Sequence, residues 1–100
     1  MNVRVTDDAK ADLRQIKAFI SERNATAAEG VIDRIRKTLT LLAVLPWLGH
    51  PGLVHGTFEK RVPRVPYLIV YRFDLTDDER ELAVLRIYHG VQPRSKHDRL

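Results

Sequence analysis

The chain holds 100 residues with 17 Lys and Arg against 13 Asp and Glu, a net charge of +4. That length suits one compact domain, residues 1–100, and excludes a multidomain enzyme, while 44% hydrophobic and 30% charged residues exclude global disorder. The lack of cysteine rules out a disulfide framework and a thiolate zinc site, and the longest apolar run, residues 41–45, is far too short to span a bilayer, so the expected location is the cytoplasm.

Residues 2–5 alternate polar and apolar, with Val3 and Val5 on one side, and predict a short strand. Thr6 followed by Asp7 and Asp8 reads as a helix cap with acids in the first turn. Ala9, Leu13, Ile16 and Ile20 then recur at helical spacing, with Lys10, Asp12, Arg14 and Lys17 assigned to the solvent face of a helix running to about Arg23. Asn24 and Thr26 supply the next stop and cap signals, and Glu29, three residues after Thr26, suggests a capping box. Ala28, Val31, Ile32, Ile35, Leu39 and Leu42 carry a second helix to Pro46, so the two helices are expected to pack as an antiparallel hairpin. Residues 46–56, with two Pro and three Gly among large apolar groups, predict an ordered crossing loop anchored by Trp47.

Residues 57–62, 67–74 and 81–89 are β-branched and aromatic segments separated by Pro63, Pro66 and an acidic turn, and read as a three-stranded antiparallel meander. The fold class is therefore α+β: an N-terminal strand and a two-helix hairpin packed on a small antiparallel sheet. Strict alternation places Leu68, Val70 and Arg72 on one side of the middle strand, and Leu82, Val84, Arg86 and Tyr88 together on the last. Both strands are apolar on both sides, and one helical layer covers one face. Leu68, Val70, Leu82 and Val84 are thus expected on a face that awaits a protein partner. Basic blocks around Arg61, Arg72 and Arg86, followed by Arg94 and Lys96 in a basic tail over residues 90–100, predict a positive patch suited to phosphate or an acidic partner, or equally a solvated surface.

The first-helix pattern from Ala9 to Ile16, the Asn24–Ala28 junction, the Leu45-Pro46-Trp47-Leu48-Gly49 loop, Arg61, the Tyr67–Arg72 strand and the closing Leu85-Arg86-Ile87-Tyr88-His89-Gly90 occur in an order that resembles the ParE/RelE superfamily of toxins from type II toxin–antitoxin modules. The likeness is to the ParE branch, whose members are labelled plasmid-stabilisation proteins. It implies a toxin that inhibits DNA gyrase without catalysis and is neutralised by a ParD-like antitoxin. Its contact with DNA would be only indirect, through that antitoxin in a higher complex, with no membrane, cofactor or metal. Arg61, Arg72, Arg86, His89, Arg94 and Lys96 are the candidates for meeting the target, and Leu68, Val70, Leu82 and Val84 for meeting the antitoxin.

The alternative is a ribosome-dependent mRNA endoribonuclease of RelE type, with Arg61, His89 and Arg94 as the catalytic set. Against it, Leu68 stands where RelE-like strands tend to carry Arg, and residues 91–100 contain no Tyr. A third reading is a toxin-like module without toxicity that acts only in an autorepressing complex. His50 and His55 lack the partners of a metal site, and His89 beside Gly90 also reads as a plain turn residue.

Overall fold

A computed structural model describes residues 1–75 and 78–90. The elements in chain order are β1 (Asn2–Val5), α1 (Asp7–Ser21), α2 (Ala25–Val44), a single 3₁₀ turn (Pro46–Leu48), β2 (His50–Pro51), β3 (Phe58–Arg61), β4 (Tyr67–Leu75) and β5 (Arg80–His89). The strands form one sheet in the order β1-β5-β4-β3-β2, with the meander β3-β4-β5 antiparallel as its composition predicts. β1 joins it parallel to β5, so the sheet is mixed.

Local chemistry sets the helix ends. Thr6, in extended backbone, accepts the Ala9 N–H on its hydroxyl, and Asp7 and Asp8 sit in the first turn where the helix dipole favours them. At the second helix the cap is Asn24, whose carboxamide oxygen accepts from Ala27 N at 2.9 Å. The expected Thr26–Glu29 capping box is therefore corrected. Thr26 already lies inside α2, because the extended conformation that a cap requires occurs two residues earlier.

Both helices cover the same face of the sheet. Ala9, Ile32, Ile35, Leu39 and Leu42 pack with Tyr67, Ile69, Tyr71, Leu82, Val84 and Ile87, and Leu13, Ile16, Ile20 and Val31 close the margins. Each large aliphatic side chain buried there contributes about 1.5–3 kcal/mol of transfer free energy before conformational entropy is subtracted.

The β4–β5 pairing carries one irregularity with wide consequences. Val70 pairs with Arg86 and Tyr71 with Val84, so Leu85 is an extra residue that opposes nothing. A bulge reverses the alternation beyond it. Ile87, opposite Ile69, therefore joins Leu82 and Val84 on the helix-covered face, while Arg86 faces away with Val70. This corrects the expected sharing of one face by Leu68, Val70, Leu82 and Val84. Leu82 and Val84 are fully buried under the helices, whereas Leu68 and Val70 occupy the opposite face at 7% and 9% exposure.

Candidate functional site

Three places gather polar or exposed side chains for which the core has no need. The first is where α1 runs along β5. β1 pairs with residues 81–84 of β5 and stops, which leaves the rest of that edge to the helix. The Thr6 hydroxyl donates to the Val84 carbonyl at 2.8 Å, and one turn and a half later the Asp12 carboxylate accepts the Ile87 N–H at 2.8 Å. The same carboxylate takes two parallel bonds from Arg86, Nε at 2.9 Å and Nη2 at 3.0 Å. That paired hydrogen bond to Asp12 holds the Arg86 guanidinium above its ordinary range, and its plane lies 5.1 Å over the Tyr88 ring. Asp12 is buried, which corrects its assignment to the solvent face. Its spacing of three from Ala9 and four from Ile16 had placed it on the apolar stripe, and its charge hid that signal.

The second place is the face away from the helices. Arg72 Nε donates to Asp74 at 2.7 Å, and Arg4 reaches from β1 to Asp74 at 3.0 Å and to Glu81. The hydrogen bond from Arg72 lowers the Asp74 carboxyl, and the same bond raises Arg72. Arg61 stands apart from this cluster, opposite Leu68. A Cβ built on Gly90 would lie 3.2 Å from Arg61 Nη1, so the guanidinium sits beside the end of β5 that carries His89. The His89 ring meets the buried Tyr67 ring edge-on at 5.3 Å between centroids. Of the expected target-binding set, then, Arg61 reaches Gly90 at the end of β5 but pairs with Leu68 on the face opposite to that of Tyr67 and His89, Arg72 is engaged by Asp74, and Arg86 is engaged by Asp12. Arg94 and Lys96 lie outside the described residues. Among the described residues, an acid of β4 and one of α1 reach two of the cations expected to form a single positive patch.

The third place is the 3₁₀ turn. The buried Tyr71 hydroxyl donates to the Pro46 carbonyl and accepts the Gly49 N–H, each at 3.0 Å, and so bridges the turn. Burial raises this phenol, against a smaller lowering by the Gly49 bond, so it remains a neutral donor. Trp47, between those two residues, is 70% exposed. The expectation that Trp47 anchors the loop is corrected: Tyr71 does the anchoring, and the indole faces solvent. Among the described residues no group of three His, Asp or Glu is placed to hold a metal, and no helix is long and apolar enough to cross a membrane.

The fold recurs in solved structures. The chain is similar to the chromosomal ParDE TA system from P. aeruginosa, with a TM-score of 0.75 and 23% identity over 89% of this chain and 95% of that one. It also resembles the RelBE2 toxin–antitoxin complex from Mycobacterium tuberculosis, with a TM-score of 0.62 and 26% identity over 88% and 95% of the two chains. A YoeB/ParE toxin from Agrobacterium tumefaciens shares the fold at a TM-score of 0.60 and 18% identity, covering 89% and 98%. These likenesses define the class, a small α+β toxin fold. In sequence, "Putative toxin Y4kP" of Sinorhizobium fredii is 32% identical over 90 residues, 90% of this chain and 88% of that one. Residues 3–93 match the family described as the ParE toxin of the type II toxin–antitoxin system, parDE, and the chain belongs to that family.

Proposed function

We propose that the chain is the toxin half of a toxin–antitoxin pair in the cytoplasm, that it inhibits DNA gyrase by binding rather than by bond chemistry, and that a ParD-like antitoxin holds it inactive. Plasmid stabilisation is then the physiological result, and DNA is reached only through the antitoxin in a higher complex. The observation that carries this reading is the ParE match over nearly the whole chain. The site chemistry supports it. Leu68, at 7% exposure, stands where RelE-like strands tend to carry Arg, and Arg72 and Arg86 are engaged by Asp74 and Asp12. The test is a supercoiling assay with purified gyrase. Inhibition that is relieved by antitoxin is expected, and a chain that leaves gyrase untouched refutes the target.

One observation favours a second reading. The Arg61 guanidinium reaches Gly90, the chain neighbour of His89 at the end of β5, and the RelBE2 complex is 26% identical to this chain. If Arg61 and His89 cleave RNA, translating ribosomes given the chain will cut mRNA, and His89→Ala will slow the cut on the order of a hundredfold. No cleavage is expected.

A further inference from the structure

Large apolar side chains in water are an expense that folded chains limit, and here they concentrate around the 3₁₀ turn. Trp47 is not merely exposed; it is held. The two hydrogen bonds of the buried Tyr71 hydroxyl, one given to Pro46 and one accepted from Gly49, fix the backbone on both sides of it, so the turn that carries the indole is set before any partner arrives. Beside it a surface cavity of about 370 Å³ is lined by Met1, Pro46, Trp47, Phe73, Leu75 and Arg80. Leu41 and Val44, one helical turn apart at the end of α2 and 43% and 68% exposed, lead back from the turn. They reach a smaller groove of about 190 Å³ lined by Arg34, Lys37, Thr38, Leu41 and Pro63. Among the described residues, every charged side chain that lines either cavity is a cation, although Lys37 also pairs with Asp33 one turn away at 3.0 Å.

We infer that this face, with Trp47 as its anchor, is the seat of the neutralising antitoxin, which lays on it an amphipathic segment whose apolar side chains fill the Trp47 cavity and whose acids meet Arg34, Lys37 and Arg80. The inference rests on the toxin–antitoxin reading above. An exposed indole on a pre-fixed turn over a cavity has the character of a binding hot spot, because the backbone that carries it has little freedom left to lose on association. The charge pattern selects the occupant. A second copy of the chain would bring the same cations with no acid among these lining residues to meet them, whereas an acidic, apolar-faced segment satisfies both kinds of group. Tyr71 is a positioning residue: it acts through the turn that carries Trp47.

The test uses the full chain and the antitoxin encoded with it, produced separately. Trp47 is the chain's only tryptophan, so its emission, read as the difference from a Trp47→Phe chain, reports the seat directly. Antitoxin is expected to shift that emission to shorter wavelength. Trp47→Ala is expected to weaken antitoxin binding by about thirtyfold or more while leaving the melting temperature unchanged. In cells it should still arrest growth, but the antitoxin should no longer relieve the arrest. Tyr71→Phe should raise the mobility of the indole, seen as lower fluorescence anisotropy in the free chain, and weaken binding less. Unchanged affinity in Trp47→Ala overturns the proposal. Growth arrest lost with antitoxin affinity intact also overturns it and gives the face to the target, as does a self-association that Trp47→Ala abolishes, which gives it to a second copy. A wild-type chain that binds antitoxin without arresting growth refutes the toxic function and leaves the seat standing, whereas one that does not bind antitoxin refutes the seat with it.

Discussion

Two buried polar side chains each hold backbone of a distant segment, and they do so to opposite ends. Asp12 takes the Ile87 N–H and brings a guanidinium down with it, so the α1–β5 edge hides its polar groups. Tyr71 takes the Gly49 N–H and gives its own proton to Pro46, so the turn stays rigid while its largest side chain remains outside. The first device closes a sheet edge against foreign strands. The second fixes a turn that leaves an apolar group available. A charged clamp and a neutral clamp should also fail differently, and that difference can be measured.

Removing the charged clamp should have the larger effect. In Asp12→Ala the Ile87 N–H and a guanidinium lose their acceptor together; because the Arg86 side chain is 43% exposed, water recovers part of the loss, and about 3 kcal/mol of stability should disappear. Urea unfolding measures it. A loss below about 1 kcal/mol would mean that solvent replaces Asp12 freely and that the edge is not closed by it.

The neutral clamp should be worth less. Tyr71→Phe keeps the packing of the ring and leaves one carbonyl and one N–H without their partner, for a cost of about 1–2 kcal/mol. Gly49→Ala presses from the other side, since a Cβ there would lie 2.1 Å from the Tyr71 oxygen, and overpacking of that kind costs about 1–3 kcal/mol. The two changes share one oxygen, so the double variant should lose less than the sum of the singles. Full additivity would show that the hydroxyl does not hold the turn.

Much of the fold was legible because periodicity survives wherever an element has one buried face. Val3 and Val5, the stripe from Ala9 to Ile20, and the second stripe from Ala28 to Leu42 all predicted the elements that form. Three features were not legible, for distinct reasons. The bulge at Leu85 has no glycine or charge to mark it, yet it reverses every face assignment after it, and the expected sharing of one face by Leu68, Val70, Leu82 and Val84 failed on that point. Asp12 carries a solvent-type side chain on an apolar stripe, and only its partner, 74 positions away, explains its burial. Trp47 has a hydrophobicity that says "inside", and its exposure depends on a tyrosine in another strand. Of the candidate site, strand order brought Arg61 to the end of β5 beside Gly90, whereas pattern does not show which cations meet an acid, as Arg72 meets Asp74 and Arg86 meets Asp12.

The smallest expected effect separates burial from charge. Asp74 makes ion pairs much like those of Asp12, with Arg72 at 2.7 Å and Arg4 at 3.0 Å, but it lies on the face of the sheet away from the helices and accepts no backbone N–H from the described residues. The Arg72 hydrogen bond holds the Asp74 carboxyl below its ordinary value, so the folded chain binds this proton less readily than the unfolded chain does. The sign follows: the pair contributes stability above the ordinary carboxylate range, and that contribution fades as the pH falls below about 4. Solvent and salt screen groups this exposed, so the contribution should be small at low ionic strength and smaller still at high. Acid unfolding of wild type against Asp74→Asn checks it. The two curves should separate slightly near neutrality and converge below pH 4, with the separation shrinking in salt. A separation as large as that from Asp12→Ala would break the comparison, because ion-pair geometry alone, rather than the buried N–H of Ile87, would then account for what the first clamp does.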